Sequence, residues 1–281
     1  MTSFWTLFKE FFKQKSKPAY LIFVIQAAAA LVTVIMTMFS SEMQNPQMFG
    51  AKINVAVAWF LAFVVTFLGY SFFADFAYLI ITSRSNEKIN RSQTWRLVPM
   101  SNGKMYICNT LSSFVSLVYL AVMQAIVGLV GGLVMYASSS DLREELAKAI
   151  HHEATVDHWQ DVNFGDLFLL LLFMVLLGLL WYVVISFLHF TTRAVIDFLP
   201  FISNKFVIFV IRVVVLVAVV YVLSKGMGFI SEIGNNPLFL TDDSFASDIG
   251  VGVITLLIMN VVLGALNYIL IDKFVEAKQN N

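Results

Sequence analysis

Leu167–Phe190 reads LFLLLLFMVLLGLLWYVVISFLHF, a run with no Asp, Glu, Lys or Arg. A helix needs about 20 predominantly apolar residues to cross the hydrocarbon core of a bilayer, and this run is longer than that. Five more stretches qualify: Ala19–Ser40, Ile53–Thr82, Met105–Ala137, Phe206–Ser224 and Ile249–Ile271. The second and third of the six exceed the minimum, so they are expected to tilt, kink or project from the bilayer. The runs are continuous and do not alternate at period two, which excludes a transmembrane barrel. Over the whole chain of 281 residues, 59% are hydrophobic and 13% charged, and mean hydropathy is +0.82. Soluble domains average about 45–50% apolar and about 25% charged. That comparison excludes a soluble globular enzyme, a disordered chain and a nucleic-acid binder. The single cysteine, Cys108, has no partner within the chain for a disulfide. The expected fold is an all-α polytopic membrane protein with six transmembrane helices.

Irregular backbone facing lipid leaves unsatisfied polar groups, each costing several kcal/mol, so the turns must fall in the polar segments between spans. With six spans both termini share one side. The 18 basic and 18 acidic residues cancel overall, but they are unevenly placed. The N-terminus, Ser83–Lys104, Thr191–Lys205 and the C-terminal tail hold Lys9, Lys13, Lys15, Lys17, Arg84, Lys88, Arg91, Arg96, Lys104, Arg193, Lys205, Lys273 and Lys278. The alternate segments hold Lys52, Arg143, Lys148 and Lys225. Lys/Arg excess marks the cytoplasmic face, so both termini are expected inside, in the plasma membrane of a bacterial cell.

The first 17 residues carry a second pattern. Phe4, Trp5, Leu7, Phe8, Phe11 and Phe12 fall on one helical face, and Thr6, Lys9, Glu10, Lys13 and Gln14 on the other. Aromatics opposite lysines predict an amphipathic helix lying in the membrane interface. Pro18 is expected to open a new helix at a tolerated first-turn position. The reading is thus an interfacial helix over 1–17, then a six-helix domain over 18–281. A signal peptide fits less well, because the following run is too long and shows no cleavage site.

The cytoplasmic segment of about 84–104 is the most informative. Trp95, Leu97, Val98 and Met100 interrupt a basic, polar run, Pro99 breaks any helix there, and Ser101 is placed to cap the next helix. A bare connection needs no apolar cluster at its centre, whereas a protrusion that docks into a groove on a cytosolic partner does. The simpler alternative is a solvated basic loop that only sets topology.

Leu97-Val98-Pro99-Met100-Ser101, followed by Lys104-Met105-Tyr106 and Asn109, resembles the pattern of ABC-2-type ABC transporter permeases, in which a Leu-Pro-x-Ser turn precedes a basic residue and a Tyr-containing helix start. The elbow helix before six spans, with both termini inside, matches that family over almost the whole chain, and the motif covers Gln93 to Asn109. The resemblance implies a permease half-transporter whose Trp95, Arg96, Leu97, Val98, Pro99 and Met100 couple to a separate ABC ATP-binding subunit. Two ATPase copies and a second permease, identical or different, are then implied. The chain has no Gly-x-x-x-x-Gly-Lys-Ser/Thr phosphate loop, so ATP and Mg would be held by the partner and no cofactor by this chain. A departure from the family is a long, charged outer loop at about 138–166. Ser224–Asp248 also departs, showing no clear helical pattern.

His151, His152, Glu153, Asp157, His158 and Asp161 form the one metal-like cluster. Val156 replaces the second histidine of a zinc-protease motif, and nothing fixes four ligands. Inside the spans, Asp75 and Arg212 either pair with each other or snorkel separately to the interface. Gln26, Asn109, Gln124, Asn260 and Asn267 are suited to hydrogen bonds between helices, and Gly128 and Gly132 with adjacent Gly131 to close packing. No catalytic arrangement stands out. Glu144-Glu145 precedes Ala149 where an intramembrane protease would need arginine. The expected function is an exporter permease for a hydrophobic or amphipathic substrate, such as a peptide, lipid-like or drug-like compound. The alternatives are a small secondary carrier without ATP and a non-transporting scaffold or immunity protein.

Overall fold

The structure, a computed structural model, describes residues 3–38, 47–48, 51–52, 54–138, 143, 164–198, 205–234 and 245–273. The helices are α1 (Phe4–Thr37), α2 (Val55–Gly69), α3 (Ser71–Asn90), α4 (Gln93–Arg96), α5 (Asn102–Ser138), α6 (Phe164–Phe198), α7 (Lys205–Gly234) and α8 (Phe245–Lys273). A two-residue antiparallel ladder pairs Gln47 with Lys52 and Met48 with Ala51. Among the described residues, six helical segments are long and apolar enough to cross a membrane: Phe4–Thr37, Val55–Asn90, Asn102–Ser138, Gly165–Ile196, Phe206–Gly226 and Ile249–Lys273. This is the build of a multi-pass membrane protein.

Two elements differ from the sequence expectation, Pro18 and the end of the fifth span, and the over-long second span is broken as expected. Pro18 does not open a helix, because α1 runs through it. Proline at 18 removes the amide that would bond the Gln14 carbonyl and crowds the preceding turn, and side chains bond the carbonyls on either side of Gln14. Ser16 Oγ donates to the Lys13 carbonyl at 3.0 Å, and Tyr78 Oη to the Lys15 carbonyl at 3.1 Å. The second span is divided at Tyr70, the C-cap of α2, whose N–H reaches the Thr66 and Leu68 carbonyls. Helix α7 continues to Gly234, beyond the expected end at Ser224. The His151–Asp161 cluster lies outside the described residues.

The chain forms two compact units: Met1–Phe11 with Ser83–Phe114 and Asn163–Asn281, and Phe12–Thr82 with Val115–Val162. Their boundary within α1 lies after Phe11. In the first unit, Leu180 and Val183 of α6 pack with Leu256, Met259 and Leu263 of α8. Asn260 Nδ2 donates to the Leu176 carbonyl at 3.0 Å and Asn267 Nδ2 to the Val183 carbonyl at 2.8 Å. Donors and acceptors advance together by two helical turns, so α6 and α8 run in the same direction. Helix α7, which connects them, must return across.

In the second unit, Ala19 and Ile22 of α1 meet Ala74 and Tyr78 of α3 and Leu120 of α5. The glycine contact is narrower than the Gly128/Gly132 spacing suggests. A Cβ on Gly131 would come within 2.5 Å of Val64, and one on Gly128 within 3.3 Å of Leu68, while Gly132 faces open space. Gly128 and Gly131 therefore let α5 approach α2 inside the chain.

Candidate functional site

The segment between α3 and α5 is shorter and more ordered than a basic loop. Helix α3 carries the chain to Asn90, and Ser92 leads into the single turn of α4. Leu97 ends that turn in a right-handed helical conformation, its N–H directed at the Thr94 and Trp95 carbonyls. The Met100 N–H closes on the Val98 carbonyl at 2.7 Å, folding the backbone tightly over Pro99. Ser101 Oγ accepts from the Lys104 N–H at 3.4 Å, and the Ser101 carbonyl from the Met105 N–H at 3.0 Å. This is the cap the sequence calls for.

The structure separates the apolar residues that the sequence groups together. Leu7, Phe11, Ile89, Met105 and Cys108 form a buried cluster, with Phe4, Phe8, Trp95 and Met100 packed on it. The Trp95 ring lies 4.9 Å from that of Phe11 at 62°, an edge-on geometry favoured by aromatic quadrupoles. Leu97 points the other way and is 83% exposed. Pro99 beside it is also exposed, and Val98 is half-buried. Trp95 and Met100 thus brace the turn from inside, and Leu97 and Pro99 form its tip. On the first turns of α1, Trp5 is exposed and stacks edge-on with Phe4 and Phe8, while Phe12 meets Tyr119 in the second unit.

Behind the tip, buried amides tie α3 to α5. Asn109 Nδ2 donates to the Asn86 carbonyl at 3.2 Å and to Asn90 Oδ1 at 2.9 Å. Ser113 Oγ donates to Asn86 Oδ1 at 2.7 Å. Glu87 Oε1 accepts from Arg91 Nη1 at 3.2 Å and lies 2.7 Å from His189 Nε2 on α6. Asn267 Nδ2 also donates to Tyr106 Oη at 2.8 Å, which adds α8. Asn86 Nδ2 and Asn267 Oδ1 find no partner among the described residues, but the bonds that are made connect α3, α5, α6 and α8.

In the second unit a polar chain sits among apolar helices. Gln26 Nε2 donates to the Phe67 carbonyl at 2.7 Å and to Ser71 Oγ at 3.0 Å. Gln124 Nε2 donates to Gln26 Oε1 at 3.0 Å and to Asp75 Oδ1 at 3.2 Å. Asp75 therefore finds a neutral amide donor here. Arg212, in the first unit, is exposed and lines a cleft with Arg91, His189 and Arg193. A separate, largely apolar cavity of about 550 Å³ lies between α5, α6 and α8, with Tyr106, Asn260 and Gly264 on its wall.

Sequence reading did not anticipate the meeting of Arg91, His189 and Arg193 with Arg212. The available signal was spacing, since His189 and Arg193 are four apart on one helix and so share a face. Among the described residues no group of three or more His, Cys, Asp or Glu is placed to hold a metal ion. Comparison with family models, curated proteins and solved structures finds no match to this chain.

Proposed function

We propose that this chain is the permease subunit of an ATP-driven exporter of the ABC-2 type. Its Leu97–Pro99 tip docks into a separate ATP-binding subunit. Two permeases and two ATPases make the working assembly, in a bacterial plasma membrane with both termini cytoplasmic. The Phe4–Phe12 stretch, with Trp5 outward, serves as the interfacial elbow. The exposed Leu97, held by a buried apolar brace, carries this reading. Leu97 and Pro99 together present an apolar tip on a hydrogen-bonded turn, which a groove on the ATPase would cover. Force applied there passes through Asn86, Asn90 and Asn109 to α3 and α5, and through Glu87 and His189 to α6. The cavity between α5, α6 and α8 suits a hydrophobic or amphipathic substrate. ATP and its metal ion stay on the partner.

A carrier working without ATP is the second reading, favoured by the Gln26–Gln124–Asp75 chain, since an acid among apolar helices is a common mark of an ion pathway. Affinity purification of the full chain from its native membrane separates the two. The permease reading predicts a co-purifying chain with a phosphate loop, lost on Leu97→Glu. Absence of such a chain from the parent, together with transport that survives ATP depletion and stops on Asp75→Asn, selects the carrier.

A further inference from the structure

Arg91 at the end of α3, His189, Thr192 and Arg193 on α6, and Arg212 near the start of α7 line one cleft of about 260 Å³ in the first unit. Glu87 is shared between Arg91 and His189. Arg91 Nε is buried with no partner among the described residues. Thr192 Oγ1 already donates to the Leu188 carbonyl at 2.6 Å, so the guanidinium groups are the principal donors to any ligand. Three permanently charged, forked donor groups facing one space in an apolar chain attract a planar or tetrahedral anion. The rest of the lining is Ile185, Leu188, Ile196 and Leu216, which suits hydrocarbon.

The apolar side continues along α7. Arg212, Leu216, Val219, Leu223 and Gly226 follow one another at alternating steps of four and three, so they share one stripe of the helix. The last three line a second cavity of about 420 Å³, also walled by Phe187 and Met259, whose lining side chains are all apolar. A charged head site and a hydrocarbon groove therefore share one helix face.

We infer that this cleft holds the phosphate head of an anionic phospholipid, with an acyl chain laid along the α7 stripe. Basic pockets between membrane helices recognise lipid head groups through this combination. The assignment does not depend on an ATPase and stands or falls separately from the export reading.

The test uses the full chain in detergent micelles titrated with spin-labelled phosphatidylglycerol and, separately, spin-labelled phosphatidylcholine. The parent should prefer the anionic lipid. Arg193→Gln and Arg212→Gln should each reduce that preference about fivefold, the scale expected for one basic side chain at an anionic surface. Arg212→Lys keeps the charge and should restore most of it. Leu216→Trp fills the cleft without changing charge and should also abolish the preference, with the thermal midpoint of each variant reporting that it folds. Lys17→Gln, an exposed lysine outside the cleft, should change little. Displacement of the lipid by millimolar inorganic phosphate identifies a soluble phosphate as the ligand and overturns the lipid assignment. So does an unchanged preference in the Arg193/Arg212 double variant, or an equal loss on Lys17→Gln.

Discussion

At the N-terminal corner, Leu7 and Phe11 of α1 are held by Ile89, Met105 and Cys108, with Trp95 laid on Phe11. Between α6 and α8, by contrast, register is set by Asn260 and Asn267, each reaching a backbone carbonyl on the facing helix. Under the proposed topology, the difference follows from the solvent each region meets. Where water reaches the protein, removing aromatic surface from it drives assembly, at roughly 25 cal/mol per Å². Among lipid tails an apolar side chain gains little by leaving lipid for a neighbouring helix, so small residues and amides decide which helices meet. The corner can therefore keep an exposed leucine on a rigid base, and the α6–α8 pair can tolerate changes in its apolar contacts.

This contrast can be broken at several points. Phe11→Ala should have the largest effect, because truncating a buried aromatic costs about 3–5 kcal/mol. Unfolding in mixed micelles followed by circular dichroism would read it, and a loss below about 1 kcal/mol would mean the corner is not held by apolar burial. Gly131→Ala should cost about 1–3 kcal/mol through overpacking against Val64, while Gly132→Ala should be neutral in the same assay. Equal effects at the two glycines would remove the argument from close approach. Asn267→Leu should cost about 1 kcal/mol, within the range of single interhelical hydrogen bonds in membranes. A stabilising Asn267→Leu would mean that apolar packing sets register there too. Leu97→Ala should leave stability within about 0.5 kcal/mol of the parent, as exposed sites usually do, because its side chain supports nothing inside.

The six spans were legible because continuous apolar runs and the scarcity of charge leave no other fold. The paired amides were legible by type, since Gln26, Gln124, Asn260 and Asn267 have few uses in lipid except hydrogen bonding, but their partners were not: besides one another and carbonyls they reach Ser71, Asp75 and Tyr106. The split of Trp95 from Leu97 was not legible. Both are apolar residues in a short polar stretch, and only the one-turn helix α4 and the fold over Pro99 aim them apart. Continuation of α1 through Pro18 was hidden for a similar reason, as the Tyr78 hydroxyl that bonds the Lys15 carbonyl in the turn before it lies 63 residues away. The arginine cleft draws on α3, α6 and α7, and no local pattern links Arg91 to Arg212.

The central claim is that the tip carrying Leu97, and not the brace carrying Trp95, touches an ATPase. Cys108 is buried, so a single new cysteine can be placed at Leu97, Pro99, Trp95 or Lys225 and fitted with a short photo-crosslinker in native membranes. Crosslinking from Leu97 and Pro99 to a chain bearing a phosphate loop, with none from Trp95 or Lys225, is the predicted result. Crosslinks from Trp95 as strong as those from Leu97, or no crosslink from Leu97 to any such chain, would contradict it.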